Sequence, residues 1–161
     1  MKHAGMTSIV QNTTRLVAGF IAVFAVYIAL TGHLSPGGGF AGGVILAAAA
    51  ALVLLAFGGR RTQAVLSEGT CHVVDAAGAL GFVAIALGGL GAGVFFANFL
   101  PLGELHRFAS GGTIALANLA ILVKVGAGLV GVLLALAVYG TARYVAAERA
   151  RGESPDPFLE I

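Results

Sequence analysis

The chain has 161 residues, of which 58% are apolar and only 10% charged, and its mean hydropathy is +0.98. Because an average soluble domain is about 25% charged, this composition excludes a soluble protein and predicts an all-α integral membrane protein. The formal charge of +2 is too small to indicate nucleic-acid binding, and the single Cys71 cannot form an internal disulfide. No cleavage site follows the first apolar run, so we expect the N-terminal segment to be retained.

Four apolar stretches follow one another, and each approaches or exceeds the roughly 20 residues that cross a bilayer. We predict transmembrane helices over residues 14–31, 37–57, 76–100 and 113–139. The charged tail over 141–161 is expected to continue the last helix to about Ala150, before Ser154-Pro155-Asp156-Pro157 ends it. Residues 1–161 are thus predicted to form a single membrane domain, a four-helix bundle.

The distribution of positive charge predicts the orientation of these helices. One face carries seven basic residues, namely Lys2, Arg15, Arg60, Arg61, Arg143, Arg149 and Arg151, and the other carries only Arg107. Cytoplasmic loops are enriched in Lys and Arg. We therefore expect both termini in the cytoplasm.

The connection between the first two spans is the most unusual stretch of the sequence. It reads Gly32-His33-Leu34-Ser35-Pro36-Gly37-Gly38-Gly39-Phe40-Ala41-Gly42-Gly43. Ser35 is expected to cap the second span, with Pro36 in its first helical position. Three glycines make a poor first turn, because each costs about 1 kcal/mol relative to Ala in a helix. A chain tolerates this where something approaches the backbone closely or where peptide groups are used.

This glycine-rich stretch resembles the signature of the MnhB-type component of Mrp-type (Mnh-type) multisubunit sodium/proton antiporters. Related subunits occur in the membrane arms of energy-converting hydrogenases. The resemblance implies a prokaryotic cytoplasmic-membrane protein that is not an enzyme and needs no cofactor, with Na⁺ and H⁺ as transported ions. It also implies partner subunits in the lipid bilayer, both large antiporter-like subunits related to respiratory complex I and small helical ones.

Two roles within such a complex remain open from the sequence. The chain either contributes to a sodium/proton path or is a scaffold that carries no ion. The host complex is either an antiporter alone or a hydrogenase-type respiratory complex. A free-standing channel is disfavoured because we find no acidic residue inside the predicted spans.

Lys124 is the strongest single candidate for an ion path. It lies eleven residues into the fourth span, about 16 Å deep at 1.5 Å per residue. A charge at that depth costs about 2.5–3.5 kcal/mol or more, so it needs a counter-ion, water or neutralisation. With no acid inside the predicted spans, we expect the counter-ion to come from a neighbouring subunit or a hydrated cavity. Lys124 and its counter-ion then form either a structural ion pair that holds two subunits together or a titratable step in a proton or cation route. Gly126 and Gly128 are expected to leave room for water or another helix.

His33, Ser35 and Asn118 complete the candidate ion path. His33 either relays protons or binds a cation through water, or it only caps the first span or bonds to the glycine-rich turn. Ser35 and the peptide groups of the three glycines are expected beside it. Asn118 is expected to lie on a different face from Lys124 and to hydrogen-bond between helices. The residues expected to shape the local backbone are Pro36, Gly37, Gly38, Gly39, Phe40, Gly42 and Gly43.

The remaining motifs indicate packing. Gly39 with Gly43, and Gly89 with Gly93, are small-xxx-small pairs typical of tight helix–helix contacts. Cys71, His72 and Asp75 do not have metal-ligand spacing, so we predict no metal site and place Asp75 in the first turn of the third span. Gly37, Gly39 and Gly42 match a dinucleotide fingerprint formally, but they follow a membrane span instead of a strand.

Overall fold

The computed structural model describes residues 6–58, 62–63, 67–103 and 108–151, which contain helices and irregular segments but no strand. Four helices are long and apolar enough to span a membrane. They are α1 (Ser8–Leu30), α2 (Gly39–Phe57), α3 (Glu68–Gly88) and α4 (Thr113–Ala150). The prediction of an all-α protein with four transmembrane helices is confirmed. Several residues used to predict orientation and helix ends lie outside the described part, namely Lys2, Arg60, Arg61, Arg107 and 154–157.

Helices α1 and α2 form an antiparallel hairpin. At the end where α1 begins, the Met6 N–H donates to the Ala56 carbonyl at 3.1 Å. The Arg15 guanidinium lies 5.1 Å from the centroid of the Phe57 ring, a cation–π contact worth about 0.5–1 kcal/mol at an exposed site. We call this end, where α3 also begins, the N-terminal end, and the opposite end the glycine-rich end.

Helix α3 begins and ends earlier than the predicted span over 76–100. Ser67 caps its start by accepting a hydrogen bond from the Thr70 N–H at 3.1 Å. The helix ends at Gly88, and a 3₁₀ helix (Gly89–Ala92) follows it, after which Gly93 is left-handed at φ +86°. The chain then folds back on itself, and the Phe96 N–H donates to the Ala86 carbonyl at 3.2 Å.

This reversal shows that Gly89 and Gly93 do not form a helix–helix contact, so that prediction is wrong. A Cβ on Gly89 would lie 2.9 Å from the Phe96 nitrogen of the returning chain. At Gly93, nothing lies within 4 Å of where a Cβ would be. These glycines serve a tight turn at the end of α3.

Helix α4 is the central element. It packs against α1, α2 and α3, whereas α3 contacts the other helices almost entirely through α4. Its 38 residues extend about 57 Å at 1.5 Å per residue, well beyond a bilayer core of about 30 Å. The charged tail continues the helix to Ala150, as expected.

Small residues dominate the contacts between helices. One buried cluster joins Ala25 and Ala29 of α1 to Leu122 of α4. A second cluster joins α2, α3 and α4 through Ala47, Cys71, Val130 and Leu134. Between α3 and the α1–α2 hairpin lies an apolar groove of about 410 Å³, lined in part by Ala22, Ala50, Val74 and Ala127. The four helices thus form an open arrangement rather than a closed bundle.

Candidate functional site

Lys124 forms an ion pair within the chain. Its Nζ donates a hydrogen bond to Asp75 Oδ1 at 3.0 Å. The prediction that its counter-ion comes from another subunit or a hydrated cavity is therefore wrong. Because the Ser67 cap starts α3 at Glu68, Asp75 lies two turns inside the helix, about 10 Å from its start at 1.5 Å per residue, and not in the first turn.

Glycines on both helices let this pair form. A Cβ on Gly78 would lie 2.8 Å from the Lys124 nitrogen, so α3 crosses α4 there in close backbone contact. A Cβ on Gly128 would lie 3.4 Å from Asp75 Oδ1, so the carboxylate occupies the space beside that glycine. Gly126 instead contacts Leu46 of α2. Of the two glycines flanking Lys124, Gly128 makes room for the counter-ion and Gly126 makes room for another helix of the same chain.

The pair is exposed on the surface of this chain. The side chain of Lys124 is 48% exposed and that of Asp75 is 35% exposed. Charged groups at this depth of a membrane face a protein interior or a water-filled cavity, and not lipid. Something other than lipid therefore covers this surface in the membrane.

The glycine-rich turn departs from the predicted helix start. Ser35 does not cap α2; its Oγ donates to the Thr31 carbonyl at 3.2 Å and so closes the end of α1. Pro36 lies in the connection, and α2 begins only at Gly39, with Gly38 as its N-cap residue. Gly38 has φ +105° and ψ −166°, a combination that only glycine adopts readily. The turn is thus non-helical at Gly38.

The glycines that follow form the contacts of α2 with its neighbours. A Cβ on Gly39 would overlap the Asn118 carbonyl of α4, and one on Gly43 would lie 2.7 Å from the Val125 Cβ. A Cβ on Gly42 would lie 2.6 Å from the Ala25 carbonyl of α1. The prediction of close backbone approach at Gly39 and Gly43 is confirmed. Phe40, in contrast, is 67% exposed and points away from these contacts.

His33 and Asn118 both lie at the glycine-rich end. The His33 ring packs on the backbone of Gly111, where a Cβ would lie 2.8 Å from its Cγ. Both ring nitrogens are buried, and neither has a hydrogen-bond partner among the described residues. The Asn118 side chain lies beside the backbones of Gly32 and Gly38. A buried ring nitrogen without a partner costs about 1–3 kcal/mol of folding free energy. Packing alone does not account for that cost, so His33 remains a candidate for the ion path.

The candidates do not form one cluster. Gly111, against which His33 packs, precedes the start of α4, whereas Lys124 lies about 16 Å along that helix at 1.5 Å per residue. Asn118 lies between them in depth and faces the glycine-rich turn, whereas Lys124 faces α3. The site has two parts, the Lys124–Asp75 pair and the glycine-rich turn.

Two residues of structural importance are not identified by the sequence pattern. Apolar periodicity places Asp75 at a helix start, although Ser67 and Thr70 carry a capping signal that moves that start earlier. Asn98 caps α4 from the preceding loop, since its Oδ1 accepts from the Thr113 N–H at 3.0 Å. No local signal identifies that partner fifteen residues away. Within the described residues, no group of three or more His, Cys, Asp or Glu side chains is arranged to hold a metal ion.

Comparison with known proteins identifies the family. Residues 9–131 match the family model of a domain related to the MnhB subunit of Na⁺/H⁺ antiporters. The corresponding component of the Na⁺/H⁺ antiporter of Bacillus subtilis (strain 168) is 40% identical over 92 residues, which are 57% of this chain and 62% of that protein. A chain in the structure of the membrane-bound sulfane sulfur reductase (MBS), an archaeal respiratory membrane complex, is 32% identical with a TM-score of 0.70; the match covers 81% of this chain and 58% of that one. The protein is a multi-pass membrane protein of the MnhB family.

Proposed function

We propose that this chain is a subunit of a multisubunit Na⁺/H⁺ antiporter and that it contributes the Lys124–Asp75 pair to the ion path of the assembled complex. The observation that carries the proposal is a lysine–carboxylate pair deep in the helices, exposed on the surface of its own chain. The chain spans 62% of the curated relative it matches and 58% of the structural one. Na⁺/H⁺ exchange by the whole complex is therefore part of the proposal.

The free-energy cost of placing an ion pair between two membrane helices favours a functional role for Lys124 and Asp75. Replacing an ion pair in a low-dielectric interior by apolar residues of similar volume is often neutral or stabilising, by about 1–4 kcal/mol. An ion pair is therefore a poor means of joining α3 to α4, particularly where Gly78 already provides a close helix contact. Ionisable residues inside membranes commonly mark ion and proton routes. A lysine that can exchange Asp75 for another acceptor is suited to such a route.

A structural role is the second candidate. In this role the exposed pair anchors a neighbouring subunit, and the tight glycine contacts of α2 support it, because they pack helices closely together. The match to a respiratory complex supports a further variant, in which this chain is part of the antiporter-like module of a redox-coupled machine. The proposed partners are in each case the large and small membrane subunits of one complex.

The orientation and location form part of the proposal. The excess of seven basic residues over one supports cytoplasmic termini, and the Bacillus subtilis relative supports the cytoplasmic membrane of a prokaryote. The glycine-rich end then lies toward the outside. No cofactor is proposed; Na⁺ and H⁺ are the transported ions.

Three variants of the whole complex separate a path from a scaffold: Lys124→Met, Asp75→Asn and the double variant. If the pair lies on an ion path, the complex assembles in all three but Na⁺/H⁺ exchange in everted vesicles is lost in all three. If the pair is only structural, each single variant leaves one charge without a partner and reduces assembly. The double variant then restores both assembly and exchange. That restoration would refute the proposal.

A further inference from the structure

We infer that one face of α3 lines a water-filled half-channel leading from the N-terminal end to the Lys124–Asp75 pair, with its other wall supplied by a neighbouring subunit. The inference rests on the proposed function, because it gives the pair a route by which protons reach it from one side of the membrane.

Polar residues form a column along this face of α3. Glu68, His72 and Asp75 are spaced four and three residues apart, which places them above one another on one side of a helix. Glu68 and His72 are exposed and Asp75 is half-buried. The column therefore starts in the first turn of the helix and reaches inward to the carboxylate that holds Lys124.

The column is separate from the apolar groove. Cys71 is buried at the contact between α3 and α4, with its Cβ 3.6 Å from where a Cβ on Gly131 would be. Thr70 and Val74 line the groove, whereas His72 and Asp75 lie on the other side of Cys71 at 100° per residue. The line where α3 meets α4 thus has one apolar side and one polar side.

The polar column stops at the ion pair. Continuing along the same face at helical spacing, the next residues are Ala79, Phe82 and Ala86. Ala86 is 3% exposed, and the Phe82 ring packs against Phe96 with centroids 5.2 Å apart. Apolar packing therefore closes this face toward the glycine-rich end, and the polar residues offer access from one side only.

Water fits the unsatisfied groups of the pair better than a dry protein surface does. The Lys124 ammonium has three N–H donors and makes one hydrogen bond among the described residues. The Asp75 carboxylate has further lone pairs that can accept. Water supplies donors and acceptors together, and ordered water needs about two to four polar partners, which the pair and His72 provide.

Cysteine accessibility in the assembled complex tests the inference. The native Cys71 is first changed to Ala, and single cysteines are then placed at three positions on the column face and three on the opposite face. The column set is His72, Asp75 and Ala79; the matched set, on the opposite face at 100° per residue, is Val73, Ala77 and Leu80. A membrane-impermeant charged thiol reagent is applied to vesicles of each orientation, and unreacted thiols are then counted by a mass-adding maleimide. Because thiolate in water is the reacting species, labelling reports water access.

We expect the reagent to modify His72→Cys and Asp75→Cys from the side of the N-terminal end, about tenfold or more faster than Val73→Cys and Ala77→Cys, since only hydrated thiols form thiolate readily. Ala79→Cys and Leu80→Cys should remain unmodified. If Asp75→Cys fails to assemble, Gly128→Cys takes its place, since a Cβ there would lie 3.4 Å from Asp75 Oδ1.

Several results would overturn the half-channel. These are no modification at the Asp75 level, equal rates on both faces, modification from the glycine-rich end, or modification that extends to Ala79→Cys. The proposed function is judged separately, by exchange in the Lys124 and Asp75 variants. Exchange lost in those variants with a dry column would leave the function standing and refute only the half-channel.

Discussion

Replacing Gly38 by Ala tests whether the glycine-rich turn is a specific backbone geometry or only a loose helix start. Gly38 has φ +105° and ψ −166°, a region that is essentially restricted to glycine, where other residues pay about 1–3 kcal/mol. Space is not the obstacle, because the added Cβ would lie 3.4 Å from Asn118 Oδ1. A strain of that size changes an equilibrium by about 5- to 150-fold. We expect Gly38→Ala to reduce assembly of the complex, or its Na⁺/H⁺ exchange.

Two matched variants isolate the cause. Gly19→Ala makes the same chemical change inside α1, where a Cβ would meet nothing within 4 Å, and should be neutral or stabilising by up to about 1 kcal/mol. Ala48→Gly makes the reverse change at an exposed position in α2 and should be tolerated. Assembly is followed by native gel after a temperature series, and exchange is normalised to assembled complex. If Gly38→Ala behaves like Gly19→Ala, the turn serves only for packing and His33 loses most of its support as an ion-path residue.

Three further outcomes are expected. Gly43→Ala places a Cβ 2.7 Å from the Val125 Cβ and should cost about 1–3 kcal/mol through overpacking, seen as a lower yield of complex; Gly91→Ala, in open space, should leave the yield unchanged. Gly128→Val should displace the Asp75 carboxylate and reduce Na⁺/H⁺ exchange as Asp75→Asn does. Gly128→Ala should leave exchange intact, and equal exchange in both Gly128 variants would contradict the reasoning. The purified chain alone should not exchange Na⁺ for H⁺ in liposomes, and robust exchange there would show that the ion path needs no partner.

The main features of the fold could be predicted from the sequence because they follow from local composition. Long apolar runs must become helices in lipid, since every backbone polar group has to be satisfied within its own segment. The non-helical backbone at Gly38 was also predictable, because three consecutive glycines are unfavourable in a helix. The continuation of the last helix to Ala150 followed from a polar but helix-compatible tail.

The helix boundaries were predicted less accurately than the helices themselves, because side-chain caps outweigh hydropathy at helix ends. Ser67 starts α3 within a polar stretch, where the apolar pattern gives no signal. The role of Ser35 differs from the predicted one because a serine beside a turn can close the helix before it as readily as the helix after it. Pro36 consequently lies outside α2, although its shape suits a first helical turn.

The ion pair was decided only by the tertiary structure. Lys124 and Asp75 are 49 residues apart in sequence, and their contact depends on the register between two antiparallel helices. Gly78 sets the closeness of that crossing and Gly128 leaves the space that the carboxylate fills. The sequence determined that Lys124 needs a counter-ion, because an isolated charge in the membrane is costly. Which carboxylate meets it depends on how the helices pack, and that packing is not encoded in any single segment.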